Sequence, residues 1–125
     1  MKKPLGSIVW TDLTVDNADE VRDFYSKVVG WKHEALSMGD YDDYVMTPNS
    51  GDDGATGICH ARGNNANIPA QWMIYVSVEH VDAAVKACVD NGGKVLDGPR
   101  KMGENDFAVI QDPAGAVMGI ITDKG

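Results

Sequence analysis

Long apolar stretches are missing from this sequence. No run approaches the roughly 20 residues that a helix needs to cross a bilayer. No apolar segment follows the basic start of the chain, as a secretory signal would require. We therefore expect a cytoplasmic protein with no membrane partner. The 125 residues fit one domain, and a hydrophobic fraction of 43% is enough for a packed core.

Basic residues are scarce. The chain has 11 Lys and Arg residues against 19 Asp and Glu residues, and its formal net charge is −8. A nucleic acid is bound through clustered basic side chains that displace its counterions. The sequence therefore predicts no nucleic-acid partner, and the acidity by itself favours solubility.

Cysteine and the common catalytic motifs are scarce or absent. Cys59 and Cys88 form no Cys-x-x-Cys motif, which argues against a zinc ribbon or a thioredoxin-type site. We expect both to be reduced, half-buried side chains. The chain also lacks a Gly-x-Ser-x-Gly elbow, a His-Glu-x-x-His motif, a Walker phosphate loop and a dinucleotide fingerprint. No cofactor is predicted.

What the chain does contain is a repeated pattern. When the sequence is shifted by 63 positions, Val15 falls on Val78 and Asp19 falls on Asp82. A strand-like run precedes each of these segments, at residues 8–15 and 72–78. A shared pattern at a fixed shift indicates two copies of one structural unit.

Each copy contains one amphipathic helix. The first is predicted from about Ala18 to Val29, with Asp16 or Asn17 as the N-cap, Glu20 at capping-box spacing and Gly30 at the C-terminal end. Apolar residues recur at i, i+3, i+4 and i+7 in both helices. These are Val21, Phe24, Tyr25 and Val28 in the first, and Val81, Ala84, Val85 and Cys88 in the second, which ends at Gly92-Gly93.

Three short strands are predicted after each helix, at residues 31–36, 41–47 and 55–61, and at residues 94–96, 107–112 and 116–122. Residues 48–54 have strong turn chemistry, and residues 112–115 predict a hairpin turn. The fold class is thus α+β, with two tandem βαβββ modules at about 6–62 and 70–124 and a linker at 63–69. Side by side, the modules would form a curved mixed sheet with the helices outside and a groove inside.

Three motifs resemble the vicinal oxygen chelate superfamily, which includes glyoxalases, bleomycin resistance proteins and dioxygenases. Residues 23–31, with Phe24-Tyr25 and Gly30-Trp31, resemble its "FYxxvLGw" helix end. Residues 78–84 resemble its "VdDvdaa" helix start, and Asp112-Pro113-Ala114-Gly115 resembles its "DPxG" hairpin. The resemblance covers nearly the whole chain. It implies the same fold, and it also implies a homodimer.

Most enzymes of that superfamily hold one divalent metal, with ligands on the first and last strand of each module. Counting from the matched motifs, the four positions hold Trp10, Met73, Gly119 and Gly57, or Ile58 in place of Gly57 if the register shifts by one. Indole, glycine and isoleucine offer no lone pair to a hard cation, and the methionine thioether is soft. We therefore predict no metal site.

The groove wall supplies the candidate ligand-binding residues. Strand alternation puts Trp10 and Asp12 on one face of the first strand. Trp10 either closes the groove or stacks on a ligand, and Asp12 is either a hydrogen-bond acceptor or base, or a solvated carboxylate. His60 would face the groove only in the Ile58 register. The other candidates are Tyr44, Met46, Met73, Tyr75 and Phe107.

Three functions remain open on the sequence alone. The first is a metal-independent protein that binds a small, partly apolar molecule in the groove. The second is a lyase, isomerase or dioxygenase that uses a non-standard metal site or the acid–base groups of Asp12 or His60. The third is an interaction module whose groove is filled by its own side chains.

Overall fold

The computed structural model describes residues 3–49 and 54–123, so part of the predicted turn at 48–54 lies outside the described residues. The elements run in the order β1 (Ile8–Val15), α1 (Ala18–Val29), β2 (Lys32–Ser37), β3 (Asp42–Thr47), β4 (Thr56–His60), a 3-10 turn (Gly63–Asn65), β5 (Trp72–Ser77), α2 (Val81–Asp90), β6 (Lys94–Met102), β7 (Asn105–Gln111) and β8 (Val117–Ile121). This order repeats βαβββ twice and confirms the predicted α+β class. In the described part of the chain, no helix is both long and apolar enough to span a bilayer.

The chain divides into two compact units, and the boundary falls inside β1. We call Thr11–Trp72 the N-terminal unit, and residues 3–10 together with 73–123 the C-terminal unit. The start of the chain belongs to the C-terminal unit through backbone hydrogen bonds. The Ser77 N–H donates to the Ser7 carbonyl oxygen at 3.0 Å, and the Gly6 N–H donates to the Ser77 carbonyl oxygen at 2.8 Å.

The sheet of the N-terminal unit has the strand order β2-β3-β4-β1. β1 and β4 are parallel, with Asp12 opposite Gly57 and Leu13 opposite Ile58, and the other pairs are antiparallel. Helix α1 covers one face, because its apolar stripe needs an apolar partner surface. The core of this contact consists of Ala18, Tyr44, Met46 and Ile58, flanked by Val15, Val21, Tyr25 and Trp31.

The sheet of the C-terminal unit has the strand order β5-β8-β7-β6, with β5 and β8 parallel and the rest antiparallel. Helix α2 covers one face here as well. Its core consists of Val81, Ala108 and Ile120, flanked by Val78, Ala84, Val85, Ile110 and Met118.

Helix α1 has the predicted bounds, and Gly30 ends it in the left-handed conformation at φ 76°, where glycine carries no Cβ penalty. Its start differs from the prediction. Asn17 stands at the N-cap position, but its side chain does not accept a helix N–H. The Asn17 amide instead donates to the Glu20 carboxylate at 3.0 Å, so the reciprocal capping box does not form.

Strand β6 is longer than the predicted 94–96 and carries two irregularities, between Val95 and Asp97 and between Asp97 and Arg100. At Gly98, φ is +85°, and an added Cβ would lie 2.7 Å from the Phe107 carbonyl oxygen, so only glycine fits the bend. On either side of this bend, Asp97 pairs with Val109 and Arg100 pairs with Phe107. Val109 and Phe107 are two residues apart on β7, which puts Asp97 and Arg100 on one face of the sheet.

Candidate functional site

Each unit has one sheet face that carries no helix, and we call it the helix-free face of that unit. In the N-terminal unit, the register places Asp12 beside Gly57 and Thr14 beside Cys59 on this face. Asp43 of β3 lies on it too, because its neighbour Tyr44 pairs with Ile58 on the opposite, helix-covered face. The face is therefore polar and carries two carboxylates.

Three predicted ligand-binding residues are not on a helix-free face. Tyr44 and Met46 are buried against Ala18 of α1. His60 follows Ile58 by two positions, so it projects from the same helix-covered side. Because Gly57 pairs with Asp12 on the helix-free face, Gly57 rather than Ile58 occupies the fourth expected metal position. Period-two alternation predicted which residues share a face, but not which face the helix covers.

His60 belongs to a polar cluster that connects α1 to the sheet. Its Nε2 lies 3.7 Å from an Asp19 oxygen, and its Nδ1 lies 3.4 Å from an Asp43 oxygen. The Tyr44 hydroxyl donates to Asp19, and this hydrogen bond raises the pKa of Tyr44. Although Nδ1 is buried, it has no hydrogen-bond partner among the described residues. The cluster fixes Asp19 and Asp43 in place at the start of α1 and on β3.

Cys59 lies on the helix-free face between two acids. Burial raises the pKa of the thiol, and the Asp12 and Asp43 carboxylates raise it further. Cys59 is therefore a neutral thiol and a poor nucleophile, since the thiolate is the reactive form. Asp43 also accepts the His60 backbone N–H at 2.8 Å. Sequence reasoning named Asp12 as the one acid on this wall and missed Asp43, because Tyr44 was predicted to line the groove and alternation then put Asp43 on the opposite face.

The helix-free face of the C-terminal unit carries Met73 and Tyr75, whose alternation along β5 predicted a shared face, and the strand pairing brings Phe107 beside them. Tyr75 pairs with Gly119 across β5 and β8. The Tyr75 ring stacks on the Phe107 ring, with centroids 5.5 Å apart and planes inclined by 25°. All three side chains are at most 2% exposed. We call the stacked rings of Tyr75 and Phe107, with Met73 beside them, the aromatic wall.

Gly119 decides whether the family's metal site fits this chain. A Cβ at this position would lie 2.6 Å and 2.8 Å from Tyr75 ring carbons and 3.2 Å from a Phe107 ring carbon. A glutamate could enter only if Tyr75 moved away. Met73 has a soft thioether, and Trp10, with 39% of its surface exposed, has no lone pair to donate. The residues at these positions therefore do not fit a hard divalent cation.

Sequence reasoning missed a charged pair at the β6 edge of the same face. Arg100 donates through Nε and Nη2 to one oxygen of Asp97, at 3.1 and 2.8 Å. The Arg100 guanidinium also lies over the Phe107 ring, 5.0 Å from its centroid. The side chains are 21% exposed for Arg100 and 10% exposed for Asp97. The pair was missed because β6 was predicted to end at residue 96.

Comparison with known proteins gives a consistent result. A family model described as "Glyoxalase/Bleomycin resistance protein/Dioxygenase superfamily" matches residues 7–119. The chain is 27% identical over 117 residues to a Mycobacterium tuberculosis protein named "Putative glyoxylase CFP32". It is 28% identical over 127 residues to "Anthracycline biosynthesis protein DnrV" of Streptomyces peucetius. These matches cover 93% and 92% of this chain but 44% and 46% of those proteins, so the chain spans less than half of their length.

Solved structures with this fold include methylmalonyl-CoA epimerase from Mycobacterium tuberculosis. The TM-score is 0.57 at 12% identity, over 100% of this chain and 93% of that one. A glyoxalase/bleomycin resistance protein/dioxygenase superfamily member from Vibrio splendidus 12B01 aligns with a TM-score of 0.56 at 10% identity, over 91% of this chain and 97% of that one. At such identities the likeness shows the fold alone.

Proposed function

Since this chain belongs to the Glyoxalase/Bleomycin resistance protein/Dioxygenase superfamily, we propose that it is a cytoplasmic protein that binds a small, partly apolar molecule without a divalent metal. The observation that carries the proposal is at position 119. Tyr75 and Phe107 fill the space into which a metal-binding side chain would extend. Aromatic side chains thus close the position of the Lewis acid, and because they are almost fully buried, we assign ligand contact to an exposed aromatic side chain of the same unit.

Trp10 is the residue against which the ligand is proposed to stack. Its side chain is 39% exposed, whereas Met73, Tyr75 and Phe107 on the aromatic wall are almost fully buried. An exposed indole offers a flat face for stacking and one N–H donor. A planar ring system is therefore the proposed ligand class, and the name of the Streptomyces relative associates that protein with anthracycline biosynthesis.

A matched pair of tryptophans tests this function. Trp10 and Trp72 are both 39% exposed, but Trp72 lies in the N-terminal unit, where its indole N–H donates to the Tyr25 hydroxyl at 3.1 Å. A panel of planar aromatic compounds is screened by thermal shift and by quenching of tryptophan fluorescence. We expect binding to be lost in Trp10→Ala and kept in Trp72→Ala. Unchanged binding in Trp10→Ala would remove the indole from the proposal.

Metal independence is tested by elemental analysis of the purified and dialysed protein. We expect less than stoichiometric zinc, nickel, manganese and iron, and ligand affinity that does not change when a chelator is added. One equivalent of any of these metals surviving dialysis would reverse this part of the proposal.

The second candidate function is a lyase or isomerase that works with acid–base residues. The observation in its favour is the pair of acids, Asp12 and Asp43, that flanks Cys59 on the helix-free face of the N-terminal unit. A carboxylate there could remove a proton from a bound substrate. Proton exchange from a bound carbonyl compound into deuterated water, lost in Asp12→Asn, would identify it. The homodimer that the family resemblance implies remains a proposal, which light scattering tests.

A further inference from the structure

We propose that helix α1 is the surface through which two copies of this chain associate. The proposal gives the homodimer a defined interface and does not depend on ligand binding. It starts from the apolar stripe of α1, because the N-terminal unit covers only half of that stripe. Val21 and Tyr25 pack against the core, whereas Phe24 is 55% exposed and Val28 is 60% exposed.

Helix α2 differs from α1 in this respect. The apolar stripe of α2 is covered by its own unit, since Val81 is buried and Ala84 and Val85 pack against the same cluster. Cys88, the last member of the stripe, is partly buried. Large apolar side chains left in water lose the free energy that burial against a partner would supply. The outer half of the α1 stripe is therefore the part of the two helices that a partner surface would stabilise.

Two charged side chains flank this exposed half-stripe. Glu20 lies four residues before Phe24 and Lys27 three residues after it, so both stand on the Phe24 side of the helix. Both are exposed. Glu20 belongs to the first turn and Lys27 to the last turn of α1, and they are equally distant from its midpoint, which falls between residues 23 and 24. The flanking charges are therefore opposite in sign and symmetric about the middle of the helix.

This symmetry makes the surface complementary to a second copy of itself. Two α1 helices packed antiparallel about a two-fold axis at the midpoint bring Glu20 of each copy opposite Lys27 of the other, with Phe24 beside the axis. The Phe24 ring is oriented by an edge-to-face contact with the Tyr25 ring, with centroids 5.0 Å apart. An anionic membrane is a poorer partner, because α1 carries three acidic and two basic side chains and such membranes attract basic helices.

A matched pair of valines tests the apolar part of the interface. Val28 of α1 is 60% exposed and Val89 of α2 is 56% exposed. Sedimentation equilibrium measures the dissociation constant of the dimer over the micromolar range. We expect Val28→Ala to weaken the dimer by about tenfold or more, because both copies lose apolar burial, and Phe24→Ala to weaken it further. Val89→Ala should leave the dissociation constant unchanged.

Charge reversal tests the antiparallel arrangement. Glu20→Lys and Lys27→Glu should each weaken the dimer by about tenfold at low ionic strength, because like charges then meet at both ends of the interface. An equimolar mixture of these two variants should form a heterodimer about as tight as the wild-type dimer, since opposite charges meet again at both ends. Native mass spectrometry identifies the heterodimer by its mass. Asp82→Lys, which reverses a charge in the first turn of α2, should change nothing.

The outcomes separate the interface from the homodimer and from ligand binding. If the wild type is a monomer throughout the micromolar range, the interface and the homodimer are both wrong, and ligand binding stands on its own tests. If the wild type dimerises but the α1 variants leave the dissociation constant unchanged, the homodimer stands and α1 is not its interface. Binding of the monomer to vesicles of anionic phospholipid through α1 would also overturn the proposal. Should Glu20→Lys unfold α1, as circular dichroism would show, the valine pair still decides.

Discussion

Replacing Gly119 by alanine is the most direct test of how the aromatic wall is packed. The added Cβ would lie 2.6 Å and 2.8 Å from the Cδ2 and Cε2 atoms of Tyr75, whereas unstrained carbon contacts are about 3.5–4.0 Å. Tyr75 is 2% exposed and Phe107 is fully buried, so neither ring can move into solvent to make room. We expect a loss of about 1–3 kcal/mol in unfolding free energy, the usual effect of overpacking a core. This outweighs the roughly 0.5–1 kcal/mol that alanine gains over glycine in a strand.

Urea unfolding followed by circular dichroism measures this loss, and a double-mutant cycle assigns its cause. In a Tyr75→Ala background the ring is gone, so Gly119→Ala should be neutral or slightly stabilising. The reasoning is refuted if Gly119→Ala is as stable as the wild type. It is also refuted if the loss is the same with and without the Tyr75 ring, since the ring would then not be what the Cβ meets.

Three further predictions concern single side chains. Because burial raises the pKa of its thiol, Cys59 should resist alkylation in the folded protein and react on unfolding; fast native labelling of Cys88→Ser, which keeps only Cys59, would contradict this. The hydrogen bond from Tyr44 to Asp19 raises the pKa of Tyr44 in the folded protein. This bond should stabilise the fold by about 1 kcal/mol. The stabilisation is present below the pKa of tyrosine in the unfolded chain, and it is lost as the pH rises through the higher pKa of the folded state. Tyr44→Phe should therefore be less stable than wild type at neutral pH, and urea midpoints should converge at strongly alkaline pH; a gap that widens there would refute it. Asp112 accepts the Ala114 and Ala116 N–H groups at 2.8 and 3.0 Å, so Asp112→Ala should lower stability by roughly 1 kcal/mol in the same assay, and Asp112→Asn should retain most of it.

The local elements were predictable because their signals lie within a few residues of sequence. The bounds of α1 follow from its apolar stripe and from Gly30, and the turn at Asp112 follows from an Asp-Pro-x-Gly sequence. The two-module order follows from the repeat. These features depend on backbone geometry and short-range hydrogen bonds, which are determined by residues close together in the sequence.

The parts of the site that were not predicted depend on contacts between distant residues. Tyr44 lies under α1, where its hydroxyl donates a hydrogen bond to Asp19, 25 residues earlier. Alternation alone does not tell which face of the sheet the helix covers. Asp97 and Arg100 share a face because the irregular pairing of β6 breaks the two-residue period. No local pattern marks a strand that continues through Gly98 and Pro99.

The backbone bonds between Ser7 and Ser77 bear on how the molecule is made. These residues are separated by 70 positions, so Ser7 can meet its partner only after the 70 residues that follow it have been synthesised. Contacts of such separation carry a loop-closure penalty and slow assembly. Residues 11–72 of the N-terminal unit are all synthesised before residues 73–123, so the C-terminal unit, which also includes residues 3–10, is the later of the two to have all its residues.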